Sequence, residues 1–462
     1  MYRDVQSKTK LARGGESKSR KAYSQDKIKD IIKRERMIIM AKKLGYIVTN
    51  YSGSDAGDID VVSGTPPTVT VNKAQVTATT TPLPAWNLQT NGDAKVHSFF
   101  DTSNNLRVVV DQYEYSSLSS PGLRIYNPTT TTTTTWTAVT TARNWSGIEN
   151  LYGVVKSGNY LYAIDYDSAN VVKISLTGAA PYTVAGTYHF ASGISGYEDH
   201  GVAIAAVGDY VYALFITSDA SASNYQNSTV VKLDVSGTNP TNVGQASVGK
   251  NAFTLEYYDG KFYVACIGGM QQAGSYNAAS QLNVVNISTM GVTTPFTASA
   301  TIPGDFRDIV FSNSGDAYIL TGYYDSSYAN LIGKLYKTTA ANINAGTPSI
   351  GTAVDTFTTA GYFWATLYED VSGGSTDYFW FAKGNPIQIY QPVPTASPAT
   401  PFATKTPADL GNSPYNVSIN WITPFWEPSS PLARKGAPRS FAAHAKLAAD
   451  AKKAALELED KK

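Results

Sequence analysis

The chain has 462 residues, of which 16% are charged and 12% aromatic, and its formal net charge of +1 hides a strong segregation. Residues 1–43 carry a net charge of +9, residues 434–462 carry +4, and the 390 residues between them carry −12. This acidic body excludes duplex nucleic acid as its partner, because such binding needs a basic face that displaces counterions.

The first 92 residues divide into an extension and a linker. Residues 1–50 are basic, and we predict an extension that is partly helical or disordered. Within it, residues 26–44 have an amphipathic pattern that suits surface or partner association, and a solvated tail is the plainer interpretation. The apolar run there is too short and too charged for a transmembrane segment or a recognisable signal peptide. Residues 51–92 are rich in Thr, Ser and Pro, with an alternating pattern that predicts one or two strands.

A repeated sequence pattern then predicts the architecture of residues 93–430. An apolar Tyr-rich strand, a Gly/Asp/Asn turn and a second aromatic strand recur at intervals of 50 to 61 residues. The third residues of the second strands align in register as Val108, Tyr162, Tyr212, Tyr263, Tyr318 and Phe379. With a third and a fourth strand in each unit, the repeat predicts an all-β fold, a six-bladed β-propeller. Seven blades stay open, because residues 415–426 form a further strand-like run that could pair with residues 68–88.

The end of the chain and the cysteine content add little chemistry. Residues 431–462 are rich in Ala, Lys, Leu and Glu, which predicts a short helical tail. The single cysteine, Cys266, lies in an apolar strand and is interpreted as a buried small hydrophobic residue, so no intrachain disulfide exists. Low charge and many Tyr, Thr, Ser and Gly residues are typical of extracellular or cell-surface proteins, which we take as the expected location.

Candidate site residues follow from the geometry of a propeller, because the inner strands all begin at one rim of the central funnel. No phosphate loop, nucleophile elbow, paired-cysteine spacing or His-Glu-x-x-His motif occurs, and the chain has only four histidines. The residues expected at the rim are Glu149, Asp199, His200, Asn251, Arg307 and Asp308. Among them Glu149, Asp199 and Asn251 carry hard oxygen ligands of the type that holds Ca²⁺. Polar residues that merely line a wet channel are the alternative, and no other cofactor is indicated.

The repeat shape resembles the six-bladed β-propeller superfamily with NHL-like or YncE-like repeats. The position and residue types of the rim are also similar to those of calcium-dependent six-bladed lactonases and esterases, which implies a metal held by that ring. Arg307 departs from this pattern, because its positive charge weakens cation binding. No family-specific signature accompanies either resemblance.

Three functions are therefore weighed. The first is a non-enzymatic surface or extracellular propeller that binds a protein or glycan partner, which the absence of catalytic motifs favours. Exposed aromatic residues such as Tyr323 and Tyr324 would suit such a partner, and ordinary blade packing is their alternative role. The second is a calcium-dependent hydrolase, similar to a lactonase, that uses the rim. The third is a structural component of a surface assembly.

Overall fold

A computed structural model shows that the chain folds as a β-propeller with very little helix. The structure describes residues 42–50, 53–62, 68–73, 75–77, 95–103, 105–112, 122–128, 135–139, 145–178, 181–312, 315–327, 330–345, 350–359, 363–368, 378–383, 386–390, 400–410 and 416–425. Most of the predicted 1–50 extension, most of the 51–92 linker and the whole 431–462 tail lie outside these residues, as do positions 26–41 of the predicted surface helix.

The first eight strands belong to two sheets, and in each sheet one pair of neighbouring strands is not consecutive in the chain. In chain order they are β1 (Lys42–Asn50), β2 (Gly53–Val62), β3 (Thr68–Lys73), β4 (Gln75–Thr77), β5 (Lys95–Phe100), β6 (Leu106–Gln112), β7 (Gly122–Pro128) and β8 (Thr135–Ala138). Strands β5 to β8 pair antiparallel in a five-stranded sheet, and β4 adds to the edge strand β8 in parallel.

Five regular blades follow, each made of four consecutive antiparallel strands. Blade I contains β9 (Leu151–Ser157), β10 (Tyr160–Asp165), β11 (Asn170–Ser175) and β12 (Thr183–His189), and blade II contains β13 (Glu198–Val207), β14 (Tyr210–Ser218), β15 (Asn227–Asp234) and β16 (Thr241–Lys250). Blade III contains β17 (Ala252–Tyr258), β18 (Lys261–Cys266), β19 (Gln281–Asn286) and β20 (Val292–Thr297). Blade IV contains β21 (Asp305–Phe311), β22 (Asp316–Tyr324), β23 (Leu331–Thr339) and β24 (Thr352–Thr359). Blade V contains β25 (Phe363–Tyr368), β26 (Tyr378–Lys383), β27 (Ile387–Tyr390) and β28 (Ala403–Lys405).

The last strand, β29 (Asn416–Phe425), returns to the start of the chain. It pairs with β1 in a four-stranded sheet of order β29-β1-β2-β3, and it also contacts β5 and β25, the first strands of the neighbouring sheets. Joining the two ends of the chain in one sheet closes the ring and covers strand edges that would otherwise pair with other chains. The expected pairing of this region with residues 68–88 is therefore indirect, because β1 and β2 stand between β29 and β3.

The β-propeller prediction is confirmed, but the six-blade count is not. Five blades consist of four consecutive strands, and the two remaining sheets have a different composition. The unit that begins at residue 95 carries an extra strand, β4, at its edge, and the strand-like run at residues 415–426, which left a seventh blade open, pairs with β1. Pairing between such distant segments leaves no local repeat in the sequence. The NHL-like or YncE-like type is likewise unconfirmed.

The aligned second-strand tyrosines form the centre of each blade's packing. Tyr162, Tyr212, Tyr263 and Tyr318 are each only 1% exposed, and each lies at the same register position. In three of these four blades the partner on the third strand is a lysine, and its ammonium group lies near tyrosine rings: Lys173, Lys232 and Lys337. The repeat therefore corresponds to a stacking unit in which adjacent blades bury each other's faces.

The remaining features are few. Within the described ranges, two short helices, α1 (Ala340–Asn344) and α2 (Pro407–Leu410), lie between β23 and β24 and between β28 and β29. In the part of the chain that the structure describes, no helix has the length and apolar character needed to cross a membrane. Cys266 is fully buried, and burial raises the pKa of its thiol far above the usual range, as the interpretation of an inert core residue requires.

Candidate active site on the upper face

The upper face of the propeller is the edge where each inner strand begins and where each second strand turns into the third. Blades I to IV share one irregularity there: a single residue of the inner strand is left out of the ladder with the second strand. This bulged position is occupied by Tyr152, Val202, Phe253 and Arg307. A β-bulge re-aims neighbouring side chains, and its recurrence gives an exact register for comparing the blades.

The bulge shows that the predicted rim residues come from different register positions. Two residues before the bulge stand Asn150, His200, Asn251 and Asp305. Glu149 and Asp199 stand one position earlier, and the residues equivalent to them before the inner strands of blades III and IV are Lys250 and Gly304. Counting back from the glycine of the hairpin turn missed this offset, because that glycine directly follows the inner strand in blades I and II but comes one residue later, as Gly260, in blade III.

Most of the predicted rim side chains already serve the fold. Glu149 is exposed, while one Asp199 oxygen accepts a hydrogen bond from Thr217 Oγ1 at 2.5 Å and the other from Ser192 N at 2.6 Å. His200 stacks on Tyr166 with 4.4 Å between ring centroids. Among the residues that the structure describes, no group of three or more His, Cys, Asp or Glu side chains is arranged to hold a metal ion. The calcium site of Glu149, Asp199 and Asn251 therefore stays a prediction.

Two further rim predictions, Asn251 and Asp308, form links between loops and blades. Asn251 is buried with a positive φ of 49°, and its Nδ2 donates to the carbonyl of Gly269 at 2.8 Å. Asparagine tolerates this left-handed conformation better than most residues do. Asp308 Oδ1 accepts from Thr254 Oγ1 at 3.2 Å, which joins the inner strands of blades III and IV. Asn251 thus holds a loop of blade III in place, and Asp308 joins blades III and IV next to an open cleft.

An open cleft of about 420 Å³ lies at this boundary on the upper face. It is lined by Tyr225, Asn251, Met270, Gln271 and Tyr324. Clefts that combine aromatic walls with a few polar groups are the usual form of a small-molecule site.

The loop of residues 267–280, here called the cover loop, forms one wall of the cleft. It joins β18 to β19 and has 14 residues, whereas the equivalent loop of blade II has 8, residues 219–226. Gly274 N donates to the carbonyl of Tyr324 at 2.8 Å, which ties the cover loop to the end of β22 in blade IV. Gly268 and Gly269 have φ values of 94° and 147°, which only glycine adopts readily, so these two positions let the loop turn away from β18.

A buried ion pair lies beneath the cover loop. Asp305 is 0% exposed and Arg307 is 8% exposed, with 3.5 Å between Asp305 Oδ2 and Arg307 Nη2. Oδ1 of Asp305 accepts a 2.6 Å hydrogen bond from Asn277 N in the cover loop, while Oδ2 has no hydrogen-bond partner in the structure. Arg307 Nη2 donates to Gln271 Oε1 at 3.3 Å, and Gln271 lines the cleft. The side chain of Gln271 thus lies between the ion pair and the open cleft.

Burial raises the pKa of Asp305 to about 6, although the charge of Arg307 and the hydrogen bond from Asn277 act in the opposite direction. A carboxyl group with such a pKa is largely ionised at neutral pH but can hold a proton transiently. A buried, strongly perturbed carboxyl group beside a cleft marks a candidate for acid–base chemistry.

Sequence reasoning named Arg307, Asn251 and Tyr324 but missed Asp305, Gln271 and Tyr225. Asp305 was missed because the alignment of blade IV was placed at Phe306 or Arg307. The signal that could have found it is the pair Asp305 and Arg307 at the start of an inner strand, since alternate residues share a face of a strand.

No protein-family model matches the chain, and no curated protein matches it in sequence. Solved structures do resemble it. A periplasmic gluconolactonase of Pseudomonas aeruginosa has 12% identity and a TM-score of 0.47, covering 84% of this chain and 100% of that one. A hypothetical selenium-binding protein of Sulfolobus tokodaii has 9% identity and a TM-score of 0.44, covering 84% and 92%. A puromycin hydrolase has 11% identity and a TM-score of 0.40, covering 75% and 50%.

This comparison corrects the first functional prediction. The chain was expected to be a non-enzymatic surface or extracellular propeller that binds a protein or glycan, but the similar structures include hydrolytic enzymes by name. At these identities the similarity concerns the fold alone, and it assigns neither a substrate nor a reactive residue to this chain. Those have to be argued from the cleft itself.

Proposed function

We propose that the chain is a hydrolase that cleaves a small ester or lactone in the upper-face cleft, with Asp305 as the proton acceptor. The observation that carries this proposal is the buried carboxyl group with a pKa of about 6, whose Oδ2 lies 3.5 Å from Arg307 Nη2 without a hydrogen-bond partner, beneath a loop that lines the cleft. Burying an oxygen without a hydrogen bond costs stability, and groups of this kind concentrate where a reaction needs them.

The proposed reaction needs only water and the substrate. As the water oxygen bonds to the acyl carbon, one water proton passes to Asp305 Oδ2. The carbon–oxygen bond of the leaving alcohol then breaks, and that alcohol takes the proton back. The positive charge of Arg307 keeps Asp305 ionised between turnovers, since its electrostatic effect lowers the pKa that burial raises.

Access to Asp305 requires a small rearrangement of the cover loop. The side chain of Gln271 lies between the cleft and the guanidinium group, and its contact with Arg307 is a single hydrogen bond of 3.3 Å. Rotation of this half-buried side chain opens a path from the cleft to the ion pair. Gating of this kind is common in enzymes that exclude bulk water from the reacting groups.

The proposal is tested by measuring hydrolysis of 4-nitrophenyl acetate and of small lactones as a function of pH. We expect a rate that rises through a pKa near 6, and we expect Asp305→Asn to lower the rate by about 10²- to 10⁴-fold. Asp316→Asn is the matched control, because Asp316 lies at the other end of blade IV and pairs with Lys337. Equal rates for the Asp305→Asn variant and the wild-type chain, with both folded, would refute the proposal.

The calcium-dependent form of hydrolase stays a separate prediction. It requires Glu149, Asp199 and Asn251 to act as ligands, and it predicts that added Ca²⁺ raises the rate and that Glu149→Gln and Asp199→Asn remove this effect. The hydrolase proposed here depends on Asp305 whether or not Ca²⁺ is added, so the two variant series separate the mechanisms. An extracellular or cell-surface location, expected from composition, is not required by either.

A further inference from the structure

We propose, building on the proposed function, that the substrate carries a carboxylate, which replaces the Gln271 side chain on the guanidinium group of Arg307. The substrate's apolar or ring-shaped body then lies against Tyr225 and Tyr324. The cleft thus selects small carboxylates with an apolar body over neutral molecules of the same shape.

Two neutral oxygens accept hydrogen bonds from Arg307. Its Nε donates to the carbonyl of Gly322 at 3.2 Å and its Nη2 to Gln271 Oε1 at 3.3 Å. Asp305 Oδ2 is 3.5 Å from Nη2 and makes no hydrogen bond. A carboxylate binds a guanidinium group at about 2.7–2.9 Å, with roughly twice the strength of a neutral acceptor. Exchanging the amide oxygen of Gln271 for a carboxylate oxygen is therefore favourable.

Gln271 lies on the cover loop, is half-buried and lines the cleft, and its side chain accepts the hydrogen bond from Arg307. Its amide oxygen already occupies the place that a ligand oxygen would take. Displacing this side chain costs little free energy, because its amide group can form hydrogen bonds with water once it leaves Arg307.

The cleft walls combine one apolar and two aromatic side chains with two amides. Met270 is 51% exposed beside the half-buried Tyr225 and Tyr324, and Asn251 and Gln271 are the amides. Arg307 Cζ lies 5.9 Å from the centroid of the Tyr324 ring, so the charged group and an aromatic wall adjoin. A volume of about 420 Å³ is sufficient for a molecule with a single ring.

Isothermal titration at pH 7 with benzoate and with benzamide, its neutral analogue, tests the inference. We expect the wild-type chain to bind benzoate about 10- to 100-fold more tightly than benzamide. Arg307→Gln should remove this preference, and Arg307→Lys, which keeps the charge, should retain part of it. Asp305→Asn should bind benzoate at least as tightly as the wild type, because a competing carboxylate is removed.

Equal affinity for the two probes, or a preference that survives Arg307→Gln, overturns the inference. Its failure is distinguishable from failure of the proposed function. Hydrolysis that depends on Asp305 without carboxylate preference would leave the hydrolase standing and reject the carboxylate. Carboxylate binding that depends on Arg307 without hydrolysis would reject the hydrolase and support this assignment of the ligand.

Discussion

Removal of the Asp165 carboxylate is the most direct test of how the upper face is held in shape. Asp165 is 0% exposed at the end of β10, and four hydrogen bonds converge on it. Oδ1 accepts from Glu149 N at 2.8 Å and Asn150 N at 2.5 Å, and Oδ2 accepts from Ser168 N at 2.7 Å and Ser168 Oγ at 2.6 Å. The carboxylate therefore fixes both the entry to β9 and the turn that leads to β11.

The variant Asp165→Ala leaves three backbone N–H groups without their acceptor. At about 1–3 kcal/mol for each buried donor, and with part of the loss recovered by water, we expect the free energy of unfolding to fall by about 3–5 kcal/mol. This would lower the midpoint of thermal unfolding by roughly 10 °C. Scanning calorimetry and urea unfolding followed by tryptophan fluorescence measure the change.

Asp167→Ala is the matched control in the same turn. Asp167 is exposed, and its hydrogen bond from Asn150 Nδ2 is 3.4 Å long, so its removal should change the unfolding midpoint little. A loss below about 1 kcal/mol for Asp165→Ala would refute the reasoning, because it would mean that these donors find other acceptors without cost.

Three further predictions concern buried polar groups. The folded-state pKa of Asp305 is raised from 3.8 to about 6, so the stability that its neutral form provides is present below about pH 4 and is lost as the pH rises through 6. Asp305→Asn should therefore be more stable than the wild type at pH 8, by up to about 2–3 kcal/mol, and should show no gain at pH 4. Urea unfolding at both pH values measures this difference. A difference that stays constant between pH 4 and pH 8 would contradict the burial argument. Lys173 Nζ donates to the carbonyls of Val235 and Gly237 at 2.8 and 2.7 Å, which links blades I and II. Lys173→Met should therefore lower the free energy of unfolding by about 1–3 kcal/mol. An unchanged unfolding curve would show that this link is dispensable. Burial raises the pKa of the Cys266 thiol, so a thiol reagent should not modify the native chain and should react fully after unfolding. Rapid modification of the native chain would mean that blade III opens.

The propeller could be predicted from the sequence because its evidence is local and repeated. Four of the six aligned units place a tyrosine at the same point of the second strand, and the structure buries Tyr162, Tyr212, Tyr263 and Tyr318 at that point. The sheet that joins β29 to β1 could not be predicted with equal ease. Its strands are separated by most of the chain, and strand pairing over such a distance has no periodic signal.

The candidate site was only partly predictable for a different reason. Arg307 and Asn251 were found because they lie near the start of inner strands, where the topology brings residues together. Asp305 was missed because blade IV was aligned at Phe306 or Arg307, since its turn between β21 and β22 is longer than the corresponding turns of blades I to III. The cover loop has no residue pattern that predicts its contact with Tyr324. The approach of Gln271 to Arg307 is a product of tertiary packing, since 36 residues separate them in the chain.

A crystal structure of the Asp305→Asn variant soaked with a carboxylate-bearing ester would show whether the upper-face cleft is the reacting site. We expect the ester in the cleft between blades III and IV, with its carboxylate on Arg307 and its acyl carbon facing position 305. Ester density at Glu149 and Asp199, with the cleft empty, would place the reaction elsewhere and refute the role of Asp305.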